Sequence, residues 1–477
     1  MPSFYDGLMT PMTCPGCLER DERIAALERR VAELEALVRD LTARLNTNAS
    51  NSGTPPSRNP LNAPKPVTKK KSKRKPGGQP GHPPYLKQLL PPQRVNRTVP
   101  LVPKRCDHCD APLPPSPQAA DPGPTRFQTI ELPPVVAHVT EYQGHARTCP
   151  CCGKVTRAVI PPDIRAHGVG PRLTAALSYF SGCHGISKRG VEEIAACVFD
   201  APVSLGTVAN LEHEVAEALA PAHREAQQAV QGAPVKHADE TRWKLAGKLC
   251  WLWAAATAQV VAFVIHPKRS AAALATLLGT TVQGILCSDR WHAYKGVPRG
   301  QRQVCWAHLK RDFQKVVDRG GPSVAVGRGG RKLVKKVFAA WHLFVGGQVT
   351  REELKELMAP LIRRMDRVLI EGWFGDDPTV ATFCENLLHL DGALWTFVSE
   401  EGGEPTNNHV ERLLRRAVLW RKRSFGSWSG AGCRFVERIL TVVQTRRLQE
   451  KNVLDYLHDA VLAHRSGQDC PKLLPTG

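Results

Sequence analysis

The chain has 477 residues, too many for one ordinary core, so about three or four domains are expected. Lys and Arg number 65 against 44 Asp and Glu, a formal charge of +21, which concentrates polyanions and makes nucleic acid the leading partner. The sequence has no apolar run of about 18 residues and no secretory leader pattern, so no membrane partner and a cytoplasmic protein are expected; its 15 cysteines then read as metal ligands before disulfides.

In chain order, residues 20–46 carry a heptad: Ile24, Val31, Val38 and Leu45 repeat every seven, with Leu27, Leu34 and Leu41 between them. The seam is narrow and flanked by charge, which predicts a coiled coil and a homo-oligomer. Residues 47–100 are a basic Pro- and Gly-rich linker holding Lys69, Lys70, Lys71, Lys73, Arg74 and Lys75. It cannot build a core, and reads as a solvated linker, as an arm that neutralises DNA phosphates, or as both.

Residues 101–160 contain Cys106-x-x-Cys109 and Cys149-x-x-Cys152, separated by about 40 residues in which Phe127–Leu132 and Val135–Tyr142 read as a β-hairpin. Four thiolates in two knuckles predict a structural zinc site. Cys14 and Cys17 form a third knuckle without a mate. Residues 165–232 are helical by spacing, and Ser204-x-Gly-Thr207 opening a helix is a weak helix-turn-helix signal beside a plain helical spacer.

From residue 233 to 448 the pattern is that of an α/β catalytic core. Val235–Trp243, Lys248–Thr257 and Gln259–Ile265 read as a three-stranded meander, Ser270–Leu278 as a helix, and Gly284–Ser288 as a buried strand delivering Asp289. That order is the order of a ribonuclease H-like fold, in which Asp239 and Asp289 lie side by side and divalent cations relieve their repulsion. Thr406–Val418 predicts a capped amphipathic helix with Glu411 at the margin of its apolar face and Arg412, Arg415 and Arg416 opposite, open to DNA phosphates. A helical insertion at about 314–397 separates the second acid from the third, and residues 449–477 form a C-terminal segment. Cys305-Trp306-Ala307-His308 reads as structural and DNA-positioning rather than as half a zinc site, with Trp306 either packed on the sheet or stacked on a base; His237 and His292, flanking the acids, read as core histidines.

Asp239-Glu240-Thr241, Ser288-Asp289-x-x-x-x-Tyr294, Cys305-Trp306-Ala307-His308 and Asn407-Asn408-x-x-Glu411-Arg412 follow one another as in transposases of the insertion sequence 66 family. The zipper, the Arg74–His82 stretch, the two knuckles and the closing Phe425–Gln449 region also resemble that family, over roughly residues 20 to 460; Arg446 departs from it, where members often carry Cys. The resemblance implies a bacterial DNA transposase whose acidic triad is Asp239, Asp289 and Glu411. It implies two magnesium (or manganese) ions about 4 Å apart that serve strand cleavage and then attack by the freed 3′-hydroxyl. Implied partners are transposon ends, target DNA and small accessory proteins of the element. A metal-dependent nuclease that does not join strands, and a non-catalytic zinc and coiled-coil regulator, remain the alternatives.

Overall fold

The computed structural model describes residues 14–52, 59, 81 and 88–475. The chain divides into two compact units, Pro64–His138 and the remainder. In the smaller unit, Gln128 ties both backbone groups of Leu90, at 2.8 and 3.0 Å, and a tight turn surrounds Cys106. The hairpin expected over residues 127–142 is not formed. Pro133 and Pro134 remove two donors at its turn, and Phe127, Ile130, Val136 and Val139 are exposed, so no buried face supports a ladder.

The larger unit begins with α1 (Pro15–Leu45), 31 residues long, whose heptad residues Ile24, Leu27, Val31, Leu34, Val38, Leu41 and Leu45 are exposed. A short antiparallel pair follows, β1 (Ala146–Thr148) with β2 (Val155–Arg157). Then come α2 (Pro162–Ala166), α3 (Pro171–His184), α4 (Lys188–Phe199), α5 (Leu205–Ala218) and α6 (Ala220–Gly232). Ser204 caps α5 by accepting from Thr207 N–H at 3.1 Å, and the turn before it is made by Asp200 in the left-handed region (φ 49°).

The sheet contains β3 (Val235–Leu245), β4 (Lys248–Ala256), β5 (Val261–His266), then, after α7 (Ala271–Leu278), β6 (Ile285–Ser288) and β7 (Arg302–Val304). Its order is β5-β4-β3-β6-β7, antiparallel through the first three strands and parallel from β3 to β7. The meander, helix and buried strand therefore stand in the expected order, while β7 is an addition the sequence reading lacked. Beyond the sheet lie α8 (Trp306–Arg319), α9 (Val324–Val345), α10 (Arg351–Trp373), α11 (Pro378–Leu388), α12 (Asp391–Ser399), α13 (Asn408–Ser424), α14 (Gly430–Leu448) and α15 (Val453–Arg465).

Both sheet faces are apolar, as expected when helices cover each side. Leu252, Ala254, Ala256, Val261 and Phe263 pack with Val410, Leu414 and Ala417 of α13, while Trp253, Ala255, Ala262 and Val264 pack with helices including α6, α7 and α15. Helices α8 to α12 have a core of their own around Phe313, Val337, Met358 and Phe397. The Gly327–Lys332 stretch belongs to α9, and its glycines serve close helix contact: a Cβ on Gly330 would lie 2.2 Å from the Phe313 ring.

The exposed edge of β5 is closed by a helix. Glu437, Thr441 and Thr445, four apart on α14, accept from the N–H groups of Ile265, Phe263 and Val261 at 2.5, 3.1 and 3.2 Å. At the other edge, Thr396 Oγ1 donates to Arg302 O at 2.6 Å, and Gln303 Oε1 accepts from Phe397 N at 2.7 Å.

The entry into β6 is tightly built. Gly284 has φ +63°, and a Cβ there would sit 2.3 Å from the Pro234 carbonyl oxygen. Beside it the fully buried Lys236 ammonium donates to Gln231 O and Gln283 O, at 2.6 and 2.7 Å. Gly284→Ala is expected to destabilise the protein by about 2–3 kcal/mol through left-handed strain and steric shift, read as a lowered urea midpoint.

Candidate functional site

Along β3 the side chains alternate. Trp243, and with it His237, Asp239 and Thr241 by parity, faces the α13 layer, whereas Ala238 and Glu240 face the opposite layer. The parallel register of β3 with β6 ends at His237 opposite Cys287. Asp239 and Asp289 each lie two residues further, Asp239 midway along β3 and Asp289 directly after the end of β6, so the register sets the two acids next to each other on neighbouring chain segments. Asp289 Oδ1 accepts from Trp291 N at 2.8 Å, which turns the chain away from β6 and fixes the carboxylate at its end.

Glu411 arrives from α13, and Asn407 sets its position. Asn407 is fully buried; its Nδ2 donates to Ala238 O at 2.7 Å and its backbone N donates to Cys305 Sγ at 3.1 Å. Thr406–Val418 was expected to form a capped helix, yet the N-cap residue Asn407 makes no side-chain cap hydrogen bond and instead pins the helix start beside Asp239. One helical turn later, Glu411 N bonds Asn407 O at 3.3 Å. Trp306 N donates to Pro405 O at 2.8 Å, tying the same loop to the start of α8.

Burial and like charge act together on these acids. Burial pushes the Asp239 carboxyl well above its ordinary range, and the neighbouring carboxylates of Glu240, Asp289 and Glu411 push it further. Burial also raises Glu411, with Asp289 adding to it and Arg311 and Arg412 opposing. Glu411 Oε1 is buried and has no hydrogen-bond partner among the described residues. A set of carboxylate oxygens under mutual repulsion, one of them an unpaired buried acceptor, fits a hard divalent cation such as magnesium or manganese.

Glu240, passed over in the sequence reading, organises the other face. Its Oε1 accepts from Arg269 Nε at 2.5 Å and its Oε2 from Tyr294 OH at 2.6 Å. The Arg269 guanidinium lies 3.8 Å from the Trp291 ring centre and 5.0 Å from that of Trp251. The Asp-Glu-Thr and Ser-Asp-x-x-x-x-Tyr motifs are therefore one linked unit. The Glu-to-Tyr link was hidden because no local pattern pairs residues 54 positions apart.

His237 is buried, 5.7 Å from the His409 ring, and burial lowers it to about 4. His292, expected as a core histidine, is exposed beside Trp291. Trp306 is fully buried against Trp395 and donates Nε1–H to Leu394 O at 2.7 Å, which removes the base-stacking reading. Burial lowers His308 to about 4 and raises Cys305 to about 11. Cys305, His308 and Glu411 have ligand atoms within 4.8 Å of one another.

Arg412, Arg415 and Arg416 are exposed on α13. Lys69, Lys70, Lys71, Lys73, Arg74 and Lys75 lie outside the described residues. The knuckles share one local form. Cys106 N bonds Ala111 O and Cys149 N bonds Lys154 O, at 3.0 and 2.8 Å, while Asp110 N and Gly153 N return to Cys106 O and Cys149 O, both at 2.9 Å. Asp110 and Gly153 both have positive φ, 57° and 69°. In each turn backbone N–H groups, those of His108 and Cys109 or of Cys152 and Cys151, hold the first thiol below its usual range, which favours the thiolate a metal needs.

A mixed sheet with helices on both faces is consistent with a DNA transposase domain. Residues 168–434, more than half of the sequence, match the Transposase IS66 family, and the chain belongs to that family. It is also similar to a curated Sinorhizobium fredii protein named "Uncharacterized protein y4qI", 26% identical over 235 residues that cover 43% of this chain and 42% of the relative. The chain thus spans less than half the length of that curated relative. Among the described residues no helix is long and apolar enough to cross a membrane.

Proposed function

We propose that this transposase cuts DNA at the ends of an insertion sequence and joins the freed ends to target DNA, with Asp239, Asp289 and Glu411 as its catalytic acids. What supports this most is geometric: the β3–β6 register runs up to the pair His237 and Cys287, two residues before Asp239 and Asp289, and Asn407 at the start of the helix bearing Glu411 bonds Ala238 O beside Asp239. These acids would hold magnesium or manganese, which when bound supplies Lewis-acid activation of phosphate and water. The protein's part is placement: the β3–β6 register sets two acids, and Asn407 sets the helix that carries the third.

Around that centre we assign the remaining roles on the chemistry of the residues. Arg412, Arg415 and Arg416 project from the helix bearing Glu411 and would position the DNA backbone, as would Lys69, Lys70, Lys71, Lys73, Arg74 and Lys75 in the linker. The α4–α5 pair with its Ser204 cap suits a helix-turn-helix. The exposed heptad seam of α1 suits pairing with a second copy, which a reaction on two ends requires. Cys106 with Cys109, and Cys149 with Cys152, are two thiolate pairs whose chemistry suits structural zinc.

The test is incubation of the purified protein with magnesium and labelled linear DNA bearing the element's inverted ends. Joined products are the expected result. Hydrolysis without joining would instead make it a nuclease, and binding without either a regulator.

A further inference from the structure

The junction of β7 with α8 meets the start of α13, and three metal-ligating side chains come together there. Cys305 precedes α8, His308 lies in its first turn, and Glu411 lies in the first turn of α13. Their ligand atoms are within 4.8 Å of one another, and His308 Nδ1 is 3.7 Å from Glu411 Oε1. That separation is beyond a hydrogen bond. Both atoms are nevertheless buried and without a hydrogen-bond partner among the described residues. Two facing polar atoms of this kind carry a desolvation cost that a shared cation removes.

The distances match coordination. Metal–ligand bonds of about 2.0–2.3 Å in a tetrahedron place neighbouring donors about 3.3–3.7 Å apart. The His308–Glu411 pair already stands at 3.7 Å, and closing the rest asks for about an ångström of side-chain rotation at most. Access exists as well: the His308 and Glu411 side chains are 24% and 31% exposed, while Cys305 is fully enclosed behind them. Of the nearby cations, Arg290 is paired with Asp312 at 2.7 Å. Arg311 acts on both His308 and Glu411, and a thiolate with a carboxylate offsets it.

We propose that Cys305, His308 and Glu411 form a binding site for a transition-metal cation of the zinc class, separate from the Cys-x-x-Cys knuckles. Sulfur, imidazole nitrogen and one carboxylate oxygen select zinc or cobalt over magnesium. Three protein ligands leave a fourth position for water or a phosphate oxygen, unlike a closed structural site. Glu411 belongs to both this site and the acid triad. Given the catalytic role proposed above, the two cation classes compete for one carboxylate, so a zinc-class ion here withdraws Glu411 from a magnesium-type centre.

Cobalt(II) is the probe, titrated into the full-length protein as purified, with bound cobalt measured by equilibrium dialysis and thiolate–cobalt charge-transfer absorption recorded. The parent should bind one more cobalt per chain than Cys305→Ser, with a saturable thiolate band correspondingly stronger than any arising from the knuckle cysteines. His308→Asn should weaken cobalt binding by at least about tenfold, and Asp289→Asn should retain both band and affinity. Absence of the band in the parent, equal cobalt content and band in parent and Cys305→Ser, or loss in Asp289→Asn with retention in His308→Asn would overturn the proposal. Because His308 is partly exposed, its variant keeps the test decisive should Cys305→Ser unfold; thermal melts of each variant identify that case. None of these readouts uses strand cleavage, so failure here is distinct from failure of the catalytic assignment.

Discussion

Asp289→Asn is expected to lower strand cleavage and joining by roughly a thousandfold or more, the scale of several kcal/mol of transition-state stabilisation, while DNA binding stays within about twofold of the parent. The substitution is close to isosteric, and Asn keeps an oxygen to accept from Trp291 N, the contact that turns the chain after β6. What it removes is one negative charge beside Asp239. The same change has a stability signature of opposite sign. The folded protein holds the Asp239 proton to higher pH than the unfolded chain does, so stability falls as pH rises above the ordinary value of 3.8. In metal-free buffer the fall should be shallower in Asp289→Asn, and magnesium should restore the parent at neutral pH. Urea midpoints taken between about pH 4 and pH 8 measure this. Parental cleavage rates in Asp289→Asn would remove Asp289 from the site.

Glu240→Ala is expected to destabilise the fold by about 3–5 kcal/mol, the scale for breaking a buried charged pair from one side. The Glu240 side chain is fully enclosed and satisfies two groups, Arg269 and Tyr294. Truncation leaves the Arg269 guanidinium between two indole rings with no carboxylate, and a buried phenol without an acceptor. One gain offsets a little of this, because Asp239 loses a like-charged neighbour. Glu240→Gln should fall between the parent and Ala, since its amide oxygen can still accept one bond. Equilibrium denaturation of the three proteins reads the order; a loss below about 1 kcal/mol for Ala would show that the network is not under tension.

The meander and β6 were legible because their core positions are apolar by alternation or by continuous run, and the sheet faces are buried in that register. Strand β7 escaped because Arg302-Gln303-Val304 is short and two-thirds polar. Arg302 O and the Gln303 side-chain amide are paired by α12, some 90 positions away in sequence, and no local pattern announces such a partner. The opposite error occurred at residues 127–142, where β-forming side chains suggested a hairpin that the paired prolines and exposed surroundings do not sustain. Glu411 was placed by helical periodicity, but the device that positions it is the Asn407 contact to Ala238 O, 169 residues apart. The candidate ligands Cys305 and His308 were visible as a motif; their nearness to Glu411 was not, since it depends on two helix starts meeting across one loop.

The α14 cover on β5 obeys a vernier. Four helical residues advance about 6.0 Å, whereas two residues of an antiparallel strand advance about 6.8 Å, so the two scales slip by about 0.8 Å at each rung. Across the contacts at Val261, Phe263 and Ile265 the slip reaches about 1.6 Å. The two short threonines serve the inner rungs, and the longer Glu437 serves the far one, where the most reach is needed. A fourth rung would carry the slip to about 2.4 Å, beyond the reach of a threonine. β5 ends at His266, one residue past the last rung, so the length of this edge strand is commensurate with the helix that guards it. Lengthening β5 by two residues would call for another long polar side chain on α14.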